Sequence, residues 1–151
     1  MNAMKIDTAT IDAKLAAFRA RCSETGLRIT PQRQEVYREM VRACDHPSAE
    51  MLHKRIVRRM PTVTLDTVYR TLGTLEAMGF VERVGAVGNS ARFEANLAPH
   101  HHFVCKHCGD ILDVFPGHFE PSGFARDLPK GCQLHSARVD MRGFCPKCAR
   151  S

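Results

Sequence analysis

The sequence predicts an α+β protein made of an N-terminal winged helix-turn-helix and a small C-terminal α/β domain. Three observations predict it. Apolar residues recur at helical spacing through the first half, the spacing then shifts to short strand-like pieces, and four cysteines in two C-x-x-C pairs fall beyond residue 100. The 151 residues suffice for one ordinary domain or two small ones. A composition 44% hydrophobic and 25% charged is that of a soluble globular chain, and no apolar run approaches the ~20 residues of a membrane span. The first 18 residues are of mixed charge with no apolar h-region, so no signal peptide is expected and the chain is placed in the cytoplasm.

The first helix spans 8–25. Ile11, Leu15, Phe18 and Cys22 form its apolar stripe, and Gly26 stops it. Thr30 and Pro31 then supply an N-cap and a first helical residue for a second helix, whose apolar face is Val36, Tyr37, Met40 and Val41. Ser48 caps a third helix over 48–60, with Leu52, Ile56 and Met60 inward and Pro61 ending it. Thr64 caps a fourth over 64–78, with Asp66 in the first turn and Val68, Leu72 and Leu75 inward. Two strand-like pieces, 80–84 and 90–94, flank a Gly-Ala-Val-Gly-Asn turn. Helices 48–60 and 64–78 make the turn pair, with 64–78 as the recognition helix and the hairpin as the wing. Residues 95–99 read as a hinge. "HHFVCKHC", "GDILDVF" and "QLHSARVDMRGF" read as strands, with a short helix near 121–128.

Charge follows the same division. Residues 1–92 carry 15 Lys/Arg against 10 Asp/Glu, whereas 93–151 carry 7 against 6, so the positive excess sits on the helical half. That placement suits a nucleic-acid-facing module.

Cytosolic cysteines at C-x-x-C spacing read as metal ligands rather than disulfides. Cys105/Cys108 and Cys145/Cys148 together supply four thiolates, a closed tetrahedral set for a structural Zn(2+) with no position left for substrate. The isolated Cys22, Cys44 and Cys132 read as small buried hydrophobes. His100 and His102 point to one face of an extended segment and His101 to the other, and Asp113 on the next strand lies within reach of the pair.

"LRITPQR", "HPSAEMLH", "TVYRTL", "ARFE", "HHHFVCKHCG" and "CPKC" stand in the order and spacing of the ferric uptake regulator superfamily. The resemblance covers residues 10–150. It implies a homodimeric, metal-dependent repressor of double-stranded operator DNA, with a winged-helix domain at 1–94 and a metal-binding dimerisation domain at 100–151. It also implies a regulatory metal site made of His46, Glu94, His100, His102 and Asp113, a mixed N/O set suited to Fe(2+) or Mn(2+). Arg28, Thr67, Tyr69 and Arg70 take the positions of DNA contacts. A further ligand set found in many relatives would draw on positions that here hold Pro99 and Ala137, so that site is not expected. His53, His107, His118 and His135 receive no role, and His101 and His107 read as bystanders among the ligands.

Within the superfamily, Asp113 resembles the peroxide-sensing repressors; iron-uptake repressors mostly carry glutamate there. Their behaviour implies oxidation of the residues matching His46 and His100, followed by loss of metal and release of DNA. Glu94 and Arg70 depart from the Gram-positive peroxide sensors, which have aspartate and asparagine, and Arg70 resembles the iron-uptake type. A zinc-uptake repressor would usually bring a cysteine into the regulatory site, and none is placed to do so. A metal-dependent hydrolase and a purely structural zinc module are the readings from other classes. The chain is not expected to be an enzyme, since it lacks H-E-x-x-H and H-x-E…P-C-x-x-C arrangements. A structural module leaves the basic winged helix without a purpose.

Overall fold

A computed structural model describes residues 6–87, 90–115, 117 and 121–150. It divides into two compact units, Met1–Leu97 and Ala98–Ser151.

In the first unit, α1 (Thr8–Thr25) starts at Asp7, whose carboxylate accepts the Thr10 N–H at 2.7 Å, and ends at Gly26, whose φ of 70° lets its N–H and that of Leu27 reach back to the last turn. α2 (Pro31–Arg42) and α4 (Leu65–Ala77) start at the expected threonine caps, Thr30 and Thr64. α3 (Ala49–Ile56) starts at Ser48 but stops four residues short of the expected end. Pro61 disfavours helical backbone at Met60, and Arg59 leaves the helix line to pair with Glu35 at 2.8 Å and Glu39 at 2.6 Å on α2. The wing is an antiparallel hairpin of β1 (Glu82–Val87) and β2 (Ser90–Glu94). β1 runs further than expected because Gly85, at φ 64°, absorbs a bulge between Arg83 and Ala86 and the strand continues through it.

The core of this unit draws on all four helices and β2. Phe18, Tyr37 and Phe80 pack as three rings with centroids 5.2–5.5 Å apart, in tilted and edge-on pairs. Phe18 is completely buried. Phe18→Ala is therefore expected to cost about 3–5 kcal/mol in a urea unfolding titration; a loss below about 1 kcal/mol would mean the ring is not central to this core. The aromatic trio fixes α1 on α2 and so sets the frame that presents α4.

In the second unit, β3 (His101–Cys105) is the central strand, flanked by antiparallel β4 (Ile111–Val114) and parallel β5 (Asp140–Gly143). A 3-10 helix, η1 (Pro121–Asp127), replaces the short helix expected near there. The long C-terminal strand expected over 133–144 shrinks to 140–143. Val139 O still accepts the His102 N–H at 3.1 Å, but no strand pairing is present over 133–138.

Candidate metal centres

The four paired cysteines converge within the second unit, with sulfur atoms all within 4.8 Å of one another. Cys108 Sγ and Cys145 Sγ are 3.7 Å apart, close to the edge of a tetrahedron with metal–sulfur bonds of about 2.3 Å. Local backbone produces this. The first knuckle closes when Gly109, at φ 74°, donates its N–H to Cys105 O at 3.0 Å. The second closes when Cys148 and Ala149 donate theirs to Cys145 O at 2.9 and 2.8 Å. Parallel pairing of β5 with β3, which places Gly143 opposite Cys105, brings the knuckles together. Backbone N–H groups of Cys108 and Cys145 pull the Cys105 thiol down to about 6, while desolvation pushes Cys148 up to about 12. A tetrahedral thiophilic dication fits this donor set.

The remaining expected ligands fall in both units. In the first, His46 precedes α3 and Glu94 ends β2; His46 Nε2 lies 3.4 Å from Glu94 Oε2. His46 holds φ 48°, a left-handed conformation strained for a non-glycine residue. Its neighbourhood is fastened to β2: Arg92 Nη1 donates to His46 O at 3.2 Å, and the Phe93 N–H donates to Pro47 O at 3.1 Å. In the second unit, His100 Nε2 and His102 Nε2 are 2.9 Å apart, and Asp113 Oδ1 lies 3.4 and 3.7 Å from them. The β3–β4 register places Asp113 directly opposite His102, which is why a side chain on another strand joins the pair. His100 Nδ1 sits 2.7 Å from Ala98 O, an orientation that leaves Nε2 toward the cluster. Three donors facing one point suit a borderline or hard dication.

Sequence reasoning missed two neighbours of these ligands. Asp140 Oδ1 lies 3.7 Å from His102 Nδ1, because β5 pairs with β3 in a register that sets Asp140 opposite His102. Nothing in the spacing from 102 to 140 signals that pairing. Arg92 belongs to the "ARFE" motif, but its hold on the His46 carbonyl requires the loop to pass beside β2.

His101, read as a bystander to the metal ligands, makes a contact of its own: its Nδ1 accepts the Val139 N–H at 3.3 Å and so ties β3 to the segment before β5. His53 is a packing histidine, its Nε2 3.0 Å from Val63 O. His107 and His135 are exposed, and His118 lies outside the described residues. Cys22 is buried as expected, but Cys44 and Cys132 are exposed.

The expected DNA contacts sit on the first unit. Tyr69 and Arg70 occupy the outer face of α4, 47% exposed for the tyrosine, with Arg70 Nε 2.9 Å from Asp66 across one turn. Thr67 lies in the first turn, its hydroxyl 2.9 Å from that of Thr64. Arg28 is exposed in the α1–α2 loop.

The model of the ferric uptake regulator family matches residues 24–142. The chain belongs to that family. It is 29% identical over 146 residues to the peroxide-responsive repressor PerR of Staphylococcus epidermidis, covering 96% of this chain and 97% of that one. Among solved structures it is similar to the Helicobacter pylori ferric uptake regulator Fur, which has three functional metal binding sites (TM-score 0.78, 26% identity, 100% and 99% coverage). It is also similar to a zinc uptake regulator complexed with zinc and DNA (TM-score 0.62, 27% identity, 93% and 96% coverage). Members of the ferric uptake regulator family are transcriptional regulators. No described helix is long and apolar enough to cross a membrane.

Proposed function

We propose that the chain is a metal-dependent transcriptional repressor that binds double-stranded operator DNA as a homodimer and releases it on exposure to peroxide. The observation that carries the metal-dependent part is the convergence of His100, His102 and Asp113 on one point, with the two Nε2 atoms 2.9 Å apart. In this reading those three donors join His46 and Glu94 around one regulatory Fe(2+) or Mn(2+). Among the described residues, this reading takes two donors from the first unit and three from the second. A shared ion would thus link the DNA-reading unit to the unit expected to dimerise. Metal and DNA then raise each other's affinity by the same factor. Cys105, Cys108, Cys145 and Cys148 hold a separate structural Zn(2+).

The peroxide reading draws on Asp113 and on likeness to peroxide-responsive repressors. A bound Fe(2+) would give one electron to peroxide and regain it as the ring is oxidised, so that the net change is the two-electron reduction of peroxide. Net oxygen transfer from peroxide to an imidazole carbon, with water released, lowers the basicity of the ring and removes a donor. Iron-uptake repression is the second reading, favoured by Arg70, by Glu94 and by likeness to the Helicobacter pylori Fur.

A titration of the full-length protein with DNA, with and without Mn(2+), tests the repressor; binding that ignores the metal would sink it. For the peroxide step, the Fe(2+)-loaded protein is treated with peroxide and its peptides are mapped by mass spectrometry. The expected result is one added oxygen atom on the peptides holding His46 or His100, together with loss of DNA binding. Unmodified histidines with DNA still bound would leave the iron-uptake reading in place.

A further inference from the structure

The outward side of β2 carries a continuous set of contacts, all within the first unit, from the expected metal ligands to the recognition helix. Ser90, Arg92 and Glu94 alternate along the strand and so share one face. Glu94 lies 3.4 Å from His46 Nε2. Arg92 Nη1 donates to His46 O and sits 3.1 Å from Met51 Sδ on α3. Ser90 Oγ donates at 3.1 Å to Glu50 Oε2, one residue earlier on α3. The other Glu50 oxygen accepts the Tyr69 hydroxyl of α4. Both oxygens of Glu50 are thus committed, one to the wing and one to the recognition helix.

The Tyr69 hydroxyl, and next the hydroxyl of Ser48, hold the Glu50 carboxyl down at about 2, so it is ionised at any physiological pH. A carboxylate beside a face meant for phosphate-rich DNA repels the ligand in a non-specific way. Its presence there calls for a compensating purpose. The compensation available is order: Tyr69 is half exposed, and without a partner for its hydroxyl the ring has free rotamers.

We propose that Glu50 is a positioning residue for operator recognition, fixing Tyr69 to the strand that carries Arg92 and Glu94 so that metal occupancy orders the base-reading tyrosine. This rests on the reading of the chain as a metal-dependent DNA-binding repressor. The route acts inside one unit and is separate from any effect of metal on how two units are arranged. Arg92 is the upstream tie, because it fixes the strained His46 backbone to the same strand.

The test uses the full-length protein and a duplex that the Mn(2+)-loaded wild type has selected from a random pool, with a scrambled duplex as reference. Affinity for both is measured with and without Mn(2+) for wild type, Glu50→Ala, Glu50→Gln, Tyr69→Phe and the Glu50→Ala/Tyr69→Phe double variant. Glu50→Ala and Tyr69→Phe are each expected to lower the selected-to-scrambled ratio about ten-fold, since each removes a charge-assisted hydrogen bond. The double variant should lose no more than either single one. Glu50→Gln, which keeps an acceptor for the hydroxyl, should recover most of the ratio; a charge effect alone would instead make Gln behave like Ala. Both single variants should also reduce the Mn(2+) enhancement of binding by about five-fold.

Additive losses, or Gln behaving like Ala, would overturn the positioning role. A wild type enhanced by Mn(2+) whose enhancement is untouched by Glu50→Ala and Tyr69→Phe would overturn the coupling alone. A wild type indifferent to Mn(2+) would overturn the repressor reading and the coupling with it. If Glu50→Ala does not fold, Tyr69→Phe and Glu50→Gln decide by the same ratios.

Discussion

Cys105→Ser combined with Cys145→Ser is expected to abolish the folding of the second unit rather than merely weaken it. The buried apolar residues described there are Cys105, Ile111 and Cys145, whereas the large apolar core belongs wholly to the first unit. A three-stranded sheet with so little apolar burial cannot offset its own chain entropy. A metal held by the four thiolates would supply the difference, with apparent binding energies of about 10–16 kcal/mol in comparable small zinc folds. Prolonged chelation should act in the same way, and acidification should release the metal as protons compete for the thiolates. Hydrogen exchange reads the outcome: amides of β3, β4 and β5 should lose protection while α1, α2 and α4 keep theirs. Retained protection in a metal-free double variant would show that the sheet stands on packing alone.

His102→Ala is expected to weaken Mn(2+) binding by more than about 100-fold and to remove the metal dependence of DNA binding. It deletes a donor that faces both His100 and Asp113. The informative comparison is Asp140→Asn. Asp140 lies behind His102, 3.7 Å from its other ring nitrogen, so its loss should cost about 10-fold, the usual size for a carboxylate that orients a ligand without touching the metal. Isothermal titration of both variants with Mn(2+), with a thermal melt to confirm folding, separates the two roles. Equal losses would place Asp140 among the ligands; an intact affinity in His102→Ala would remove His102 from the site.

The helices were legible in the sequence because their signals are local. Thr30 with Pro31, Ser48, Thr64 and Gly26 act through backbone groups three or four residues away, and each sits at a helix end as expected. The one sizeable helix error, the end of α3, came from a distant partner: Arg59 bonds to residues more than one helix away in sequence. The same contrast holds at the candidate sites. A C-x-x-C knuckle is closed by its own turn, and two histidines two apart on a strand must share a face. These features follow from residue spacing alone.

By itself the sequence determined the helix caps, the two knuckles, the His100/His102 pair and the concentration of positive charge on the helical half. Tertiary structure alone decided what lies across a strand or beside a loop. The β3–β4 register sets Asp113 directly opposite His102; the β3–β5 register brings the knuckles together and sets Asp140 behind His102. The passage of the His46 loop beside β2 gives Arg92 its carbonyl, and the packing of α3 against β2 and α4 gives Glu50 its two partners. The physical reason is one of range. Turns and caps are satisfied by hydrogen bonds within a few residues, whereas strand register is chosen by burial and pairing summed over the whole sheet, and a one-residue slip would turn every one of these side chains to the opposite face.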